Sequence, residues 1–146
     1  MVIDDTLERY IKMLESAQEI QRLCNFENGD YFYDHVDGEV KILLWYSSTD
    51  FSECVWIPRQ DQYQEICINF FAHNLRLSRN DAFSRFLEWY ASCLKDTAET
   101  GRNYVNNGKY EYIDSCDELM LLYTMSMLHG KKWGGENWVK SILGYY

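Results

Sequence analysis

Apolar residues recur at helical spacing in several stretches of the chain, and each stretch predicts a helix packed against a core. The first stretch covers residues 5 to 24, where Asp5 and Glu8 form a capping box ahead of the apolar positions. Pro58 predicts the first residue of a second helix. The apolar stripe of that second helix consists of Tyr63, Ile66, Cys67, Phe70 and Phe71.

Two further helices follow from the same periodicity. Asn80 or Asp81 predicts the amino-terminal cap of a third helix that ends near Glu99, and Trp89 falls outside its apolar stripe. That stripe consists of Phe83, Phe86, Leu87, Tyr90 and Leu94. A helix over residues 116–129 is apolar on nearly all sides, which predicts that it is buried at the centre of the fold.

Alternating aromatic and β-branched residues around Asp37-Gly38 predict a β-hairpin with strands 30–36 and 39–46. A two-residue turn would place Asp34 opposite Lys41 as a cross-strand charge pair. One face would carry Tyr31, Tyr33, His35, Val40, Ile42 and Leu44, and we expect it to be the core side. The opposite face would carry Asp30, Phe32, Asp34, Lys41, Leu43 and Trp45.

The predicted helices and the predicted antiparallel hairpin together indicate an α+β fold. The turn residues Asn106-Asn107-Gly108 add a further strand near 109–113. We therefore expect a single domain over residues 1–146 with about four helices and a small antiparallel sheet. The composition agrees, because 146 residues that are 47% hydrophobic with one proline are enough for one globular domain with its own core.

The overall charge narrows the class of partner. A formal net charge of -9 argues against binding to a phosphate backbone. No apolar run approaches the roughly 20 residues that cross a bilayer. The acidic start, MVIDDTLERY, also differs from a signal peptide, which is basic and then apolar. We expect a cytoplasmic protein, with neither a nucleic acid nor a membrane as its direct partner.

The acidity is concentrated in one part of the chain. Residues 27–53 contain seven acidic side chains and a single basic one, Lys41. Two interpretations are open. In the first, the charges form a solvated edge that discourages aggregation. In the second, they form a docking surface for a basic partner, with Asp30, Asp37 and Glu39 as its contact residues.

Candidate catalytic chemistry is sparse. His35, His73 and His129 lack the spacing of a zinc motif, and no glycine-rich or nucleophile motif is present, so we expect no metal and no cofactor. The five cysteines stand at irregular intervals that predict free thiols. One enzymatic alternative stays open, a small hydrolase or nucleotide-binding enzyme with a site near Asp34, His35 and Arg59.

Three segments together resemble a known group of proteins. The segments are WIPRQDQYQE over residues 56–65, SCDEL over 115–119 and KWGGENWV over 132–139. They resemble small uncharacterised proteins of phages and prophages of Gram-positive bacteria, in which the outer segments follow the patterns WLPxQxQLQE and WxGxxW. Tyr63 replaces the usual leucine, and the expected tryptophan after Leu119 is missing. The resemblance implies a phage-borne accessory protein of unknown activity.

The tryptophans of these segments have two interpretations. In one, Trp56, Arg59 and Trp133 form a recognition surface. In the other, the tryptophans anchor the carboxyl-terminal segment to the second helix. The hypothesis we favour is a non-enzymatic accessory protein that acts through protein–protein interaction, for example as an inhibitor of a host defence. Its partner would be a host or phage protein with a basic surface. The hydrolase above and a self-associating structural protein are the alternatives.

Overall fold

A computed structural model of the chain describes residues 5–44, 51–100, 104–106, 109–111 and 116–140. The chain divides into two compact units, Met1–Arg59 and Gln60–Tyr146, which are described in turn. Each unit combines helices with antiparallel strands, so the predicted α+β class is confirmed. The single domain over residues 1–146 stays a prediction.

Within the described residues, the first unit is a three-stranded antiparallel sheet preceded by helices. Its elements are α1 (Asp5–Ser16), α2 (Gln18–Gln21), β1 (Tyr31–Asp34), β2 (Glu39–Ile42) and β3 (Cys54–Ile57), with a 3-10 turn at Phe51–Glu53 before β3. The strand order is β2-β1-β3, which places β1 in the middle. The helix predicted over residues 5 to 24 is divided, because the backbone of Ala17 leaves the helical region with ψ at 71°.

The predicted hairpin is present, but its turn is longer than expected. Asp34 lies opposite Glu39, so the turn contains residues 35–38 and the two-residue turn is wrong. The Gly38 N–H donates to the Asp34 carbonyl at 2.8 Å, and Gly38 has a φ of 72° that favours glycine. The register differs from the predicted one by two residues, which leaves every side chain on its predicted face. Residues 45 and 46 lie outside the described residues.

The core side of the hairpin is the opposite of the predicted one. Phe32 is 2% exposed and Leu43 is also buried, whereas Tyr31, Ile42 and Leu44 are exposed. The reason lies outside the strands. Phe26 and Phe51 stack with ring centroids 4.2 Å apart, and both rings contact Phe32 edge-on. Because the strands are apolar on both faces, these loop phenylalanines decide which face is covered.

The outer edge of β3 is closed by a side chain. The Gln21 side-chain amide donates to the Trp56 carbonyl at 2.9 Å and accepts from the Trp56 N–H at 2.8 Å. The α1 helix also packs on β3. Gln21 therefore occupies the hydrogen-bonding positions that a further strand would need on this edge.

The described residues of the second unit form three long helices and two short hairpins. Its elements are α3 (Gln60–Asn74), α4 (Arg79–Thr100), β4 (Tyr104–Asn106), β5 (Lys109–Glu111), α5 (Cys116–His129), β6 (Lys131–Trp133) and β7 (Trp138–Lys140). The α3 helix packs against both α4 and α5. The strand predicted near 109–113 corresponds to β5, and residues 112–113 lie outside the described residues. The β6–β7 hairpin was not predicted.

The α5 helix has its predicted bounds and is buried as expected. Of the residues from Glu118 to Met127, all except Tyr123 are buried.

The α4 helix differs from its prediction. Ala82 and Phe86 are buried, but Phe83 and Leu87 are exposed, so the buried face is rotated from the predicted stripe.

Trp89 explains this rotation, since its ring contacts Phe71, Phe86 and Tyr123. A large indole packs more apolar area than the phenylalanine or leucine it displaces from the inner face. The amino-terminal cap also differs from the prediction, because Ser78 Oγ accepts the Asp81 N–H at 3.2 Å and Ser78 thereby caps α4.

Candidate functional site

The hairpin turn of the first unit is stabilised by its own aspartates. The Asp34 carboxylate accepts a hydrogen bond from the Val36 N–H at 2.9 Å, and the Asp37 carboxylate accepts one from the Glu39 N–H at 3.1 Å. Aspartate side chains commonly bond to the backbone two residues further on in turns. The turn is therefore held in one conformation by local contacts, which leaves Val36 free to project into solvent.

Lys41 lies between the two turn aspartates. Its Nζ is 3.1 Å from Asp34 Oδ2, and it also pairs with Asp37. The predicted charge contact between Asp34 and Lys41 is present, but the prediction that the two residues are directly opposite is wrong, because Phe32 lies opposite Lys41. The hydrogen bond from Val36 N–H, followed by that from Lys41, lowers the pKa of Asp34. Hydrogen bonds to Asp37 and Asp34 raise the pKa of Lys41.

The lowered pKa of Asp34 predicts an acid-sensitive hairpin. Because the folded-state pKa lies below the unfolded value of 3.8, the charged form adds stability above that value. This stability is lost as the pH falls through the folded-state pKa. In an NMR titration of the Asp34 carboxyl carbon, we expect Lys41→Met to raise the midpoint only part of the way to 3.8, since the Val36 bond is retained. A midpoint that Lys41→Met does not move would contradict the role of Lys41.

Further carboxylates surround the turn. A hydrogen bond of 3.0 Å joins Glu15 of α1 to His35 Nε2, and the His35 N–H donates to the Glu53 carbonyl at 3.0 Å. These bonds bring α1 and the segment before β3 to the same end of the sheet. We call this region the acidic end; its carboxylates belong to Glu15, Asp34, Asp37, Glu39 and Glu53. Lys41 is the single lysine that pairs with them among the described residues.

Apolar side chains are exposed at both ends of the hairpin. Val36, at the tip of the turn, is 81% exposed. Tyr31, Ile42 and Leu44 are also exposed, and by strand alternation they share the hairpin face that does not carry Phe32. Exposed apolar residues with a polar rim are typical of protein-binding surfaces. The hairpin therefore combines negative charge with uncovered apolar surface.

Asp30 lies at the other end of β1 and is buried, with 3% of its surface exposed. Arg59 Nη1 donates to Asp30 Oδ1 at 2.9 Å and to the Gly29 carbonyl at 3.0 Å, while the Glu27 N–H donates to Asp30 Oδ2 at 2.9 Å. The expectation that Asp30 is an exposed docking residue is wrong. The pairing of β1 with β3 places residue 30 beside the residues that follow Ile57, so the carboxylate meets Arg59 inside the unit.

The three residues of the enzymatic alternative do not converge. Arg59 contacts Asp30 before the start of β1, whereas Asp34 and His35 lie at the end of β1. At the rise of an extended strand, residues 30 and 34 are about 13 Å apart. Asp34 and His35 also have other partners, Lys41 and Glu15 respectively.

The two tryptophans predicted as recognition residues are both buried. Trp56 belongs to the core of the first unit and Trp133 to that of the second. The Trp133 ring packs on Trp138 with centroids 5.3 Å apart. Neither indole N–H has a hydrogen-bond partner within the described ranges. The structure thus presents neither ring at the surface.

The thiols of Cys24 and Cys67 have raised pKa values, and the described residues contain no metal-binding cluster. Burial raises the pKa of Cys67 to about 12. Burial, and after it the charge of Asp30, raises the pKa of Cys24 to about 12. Both thiols are therefore protonated near neutral pH and are poor nucleophiles. In the described ranges, no group of three or more histidine, cysteine, aspartate or glutamate side chains could hold a metal ion.

Sequence patterns identified only part of the acidic end. Asp37 and Glu39 were predicted as docking residues, and both are exposed there. Glu15 and Glu53 were missed as contact residues because tertiary packing, rather than sequence proximity, brings them to the turn. Val36 was missed because a two-residue turn would have made it the last residue of a strand.

Comparison with known proteins yields no relative for this site. The sequence matches no protein-family model, and neither curated proteins nor solved structures gave a significant match. None of the helices in the described part of the chain is long and apolar enough to cross a membrane.

Proposed function

We propose that this chain is a non-enzymatic accessory protein of phage or prophage origin that acts in the bacterial cytoplasm. It docks a basic surface of a host or phage protein on its acidic end. Inhibition of a host defence is one role that such docking would serve. The phage origin is supported by the motif resemblance over roughly residues 54–139. The docking mode is supported by the geometry of the first unit.

The observation that carries the proposal is Val36, which is 81% exposed among the carboxylates of the acidic end. The Asp34 and Asp37 side chains hold the turn in place, so the ordering cost of binding is small. An apolar centre within a polar rim is the arrangement found in specific protein interfaces. The negative rim would steer a basic partner toward the turn and fix its orientation.

The competing interpretation, a solvated edge, does not explain the exposed apolar side chains of the hairpin. Charges alone keep an edge soluble and unpaired. Such an edge gains nothing from an exposed valine at its tip or from the exposed Ile42 and Leu44 further along the same hairpin. These apolar side chains favour a surface that is covered when the protein acts.

Charge reversal at the acidic end tests the proposal. In Glu39→Lys/Glu53→Lys, two exposed carboxylates are reversed without removing the turn bonds of Asp34 and Asp37. Asp81→Lys/Glu136→Lys makes the same change at exposed positions of the second unit and serves as the control. Each variant, tagged, is used to capture proteins from a bacterial host extract at low and at high salt.

We expect the unaltered protein and the control to retain the same partner at low salt and to lose it at high salt, because exposed charges are screened. The reversal at Glu39 and Glu53 should remove that partner at both salt concentrations. Capture that survives the reversal at low salt would contradict docking at the acidic end.

A further inference from the structure

The two edges of the three-stranded sheet differ. The β3 edge is closed by the Gln21 side chain, which bonds to both backbone groups of Trp56. The β2 edge has only β1 beside it within the described residues. An edge of this kind presents unpaired N–H and C=O groups to an incoming strand.

Two hydrogen bonds show which residues of β2 face the open edge. The Leu43 N–H donates to the Asp30 carbonyl at 2.8 Å, and the Leu43 carbonyl accepts the Gly29 N–H at 2.9 Å. The backbone of Leu43 therefore faces β1. Because this direction alternates along an antiparallel ladder, the N–H and C=O groups of Val40 and Ile42 point to the open edge.

The β2 strand carries opposite charges two residues apart. Glu39 and Lys41 lie on one face of the strand, and Val40 and Ile42 lie on the other. Glu39 is exposed and Lys41 is partly exposed. On the apolar face, Ile42 is 49% exposed. The edge therefore has one negative and one positive side chain backed by uncovered apolar surface.

This pattern is complementary to itself. When two copies pair antiparallel about Val40, the two Val40 residues lie opposite each other and exchange both of their N–H to C=O bonds. Glu39 of each copy then lies opposite Lys41 of the other, which gives two cross-strand charge pairs. Ile42 of each copy lies opposite Gly38 and diagonal to Val40 of the other, so the apolar face is also brought together.

The charges select this register among those that the outward backbone groups allow. A pairing centred on Lys41 would place the two Lys41 side chains directly opposite each other, and like charges in that position are destabilising. A pairing centred on Ile42 would place Lys41 opposite Leu43 instead of opposite a carboxylate. The pairing centred on Val40 is thus the one that satisfies both charges.

The turn aspartates of the two copies stay apart in this register. Asp37 of one copy is level with residue 43 of the other, so the two Asp37 residues are six positions apart along the junction. At the rise of an extended strand, this separation is about 20 Å. The Debye length is about 8 Å at physiological salt, so repulsion between the turns is largely screened.

We propose that the β2 edge is a self-association surface, at which two copies of this chain pair antiparallel about Val40 into one six-stranded sheet. A second copy is the occupant because a two-fold pairing satisfies Glu39 and Lys41 of both chains at once. The dimer is weak and reversible, since each copy contributes only a short strand. This association is separate from the docking proposed above and does not depend on it.

The test is a charge exchange between copies, measured by sedimentation equilibrium of the purified full chain between about 10 µM and 1 mM. Glu39→Lys places like charges opposite each other in a pair of identical copies, and so does Lys41→Glu. In an equimolar mixture of the two variants, each cross-strand pair is again of opposite charge. A further variant, Val40→Pro, removes the outward N–H without removing a hydrogen bond of the hairpin.

We expect the average mass of the unaltered chain to rise with concentration from the monomer mass toward twice that value. Glu39→Lys alone and Lys41→Glu alone should each weaken association at least about tenfold, and their mixture should recover it to within about threefold. Val40→Pro should remain monomeric, because the central pair of backbone bonds cannot form.

The hairpin is checked in every variant by amide exchange of β1, because Lys41→Glu also removes the contacts with Asp34 and Asp37. An unaltered chain that is monomeric up to about 1 mM would overturn the inference. Association of Val40→Pro that equals that of the unaltered chain would also overturn it, as would folded variants whose mixture associates no better than either alone.

Exchange of the Val40 amide distinguishes a second copy from other parts of the same chain. Pairing between copies predicts that protection of this amide rises with protein concentration. Protection that is already present at low concentration and does not change on dilution would assign the edge to the chain itself and overturn the inference.

Discussion

Leu121→Asp should unfold the second unit. Leu121 is fully buried in α5, within a run of buried residues that extends from Glu118 to Met127. The substitution removes a packed leucine and places a carboxylate at a fully buried position. We expect a loss of at least about 4 kcal/mol in the free energy of unfolding, combining the cavity with the buried charge.

The matched control is Leu87→Asp in α4 of the same unit. Leu87 is 48% exposed, so the same chemical change should alter stability by less than about 1 kcal/mol. Amide hydrogen exchange in α5 measures both variants and reports on this unit separately from the sheet. Native protection of α5 in Leu121→Asp would show that the helix is an exposed interface rather than a core.

Asp30→Ala should destabilise the first unit by about 2 to 3 kcal/mol. The substitution leaves the Arg59 guanidinium without its carboxylate and the Glu27 N–H without its acceptor. Arg59 is about one-third exposed, so water recovers part of the loss. The measurement is exchange of the β1 amides, which are anchored on both sides by neighbouring strands.

Two further variants test whether Asp30 stabilises the interior of the unit rather than acting as a surface charge. Asp37→Ala removes an exposed carboxylate and should cost less than about 1 kcal/mol. In Asp30→Leu/Arg59→Met, both charges are replaced by apolar side chains, which should recover much of the stability lost in Asp30→Ala. Equal protection of the β1 amides in Asp30→Ala and in the unaltered protein would refute a stabilising role for the Asp30–Arg59 pair.

The α5 helix was predictable from sequence because local and tertiary signals agree. Its residues are apolar on nearly all sides, so burial on every side is the only arrangement that covers them. The hairpin was predictable for a similar reason, since Asp37-Gly38 is a strong turn signal. The length of the turn was not predictable, because Asp34 accepts hydrogen bonds from the backbone N–H groups of Val36 and Gly38 and so closes a longer turn.

The orientation of the sheet could not be derived from strand alternation. Both faces of the hairpin carry large apolar residues, and the stacked rings of Phe26 and Phe51 determine that Phe32 is covered. The rotation of α4 has the same origin, since Trp89 finds three aromatic partners from other turns and helices. Loop residues and ring contacts of this kind have no periodic signature.

The candidate site was also only partly predictable from the sequence. Local charge density identified Asp37 and Glu39, whose positions in the turn expose them. The same charge count included Asp30, which β1–β3 pairing brings to Arg59 in the interior. A charge count along the sequence does not distinguish a docking carboxylate from a buried one, because the partner of the buried one is 29 residues away.

Photo-cross-linking from the tip of the turn tests docking at the acidic end most directly. A photoreactive benzoylphenylalanine replaces Val36, and a control protein carries it in place of Leu87, an exposed apolar residue of the second unit. Each protein is irradiated in host extract. Docking at the acidic end predicts a discrete adduct from position 36 that disappears when Glu39→Lys/Glu53→Lys is added, and no such adduct from position 87. No adduct from position 36, or one that persists after the charge reversal, would contradict it.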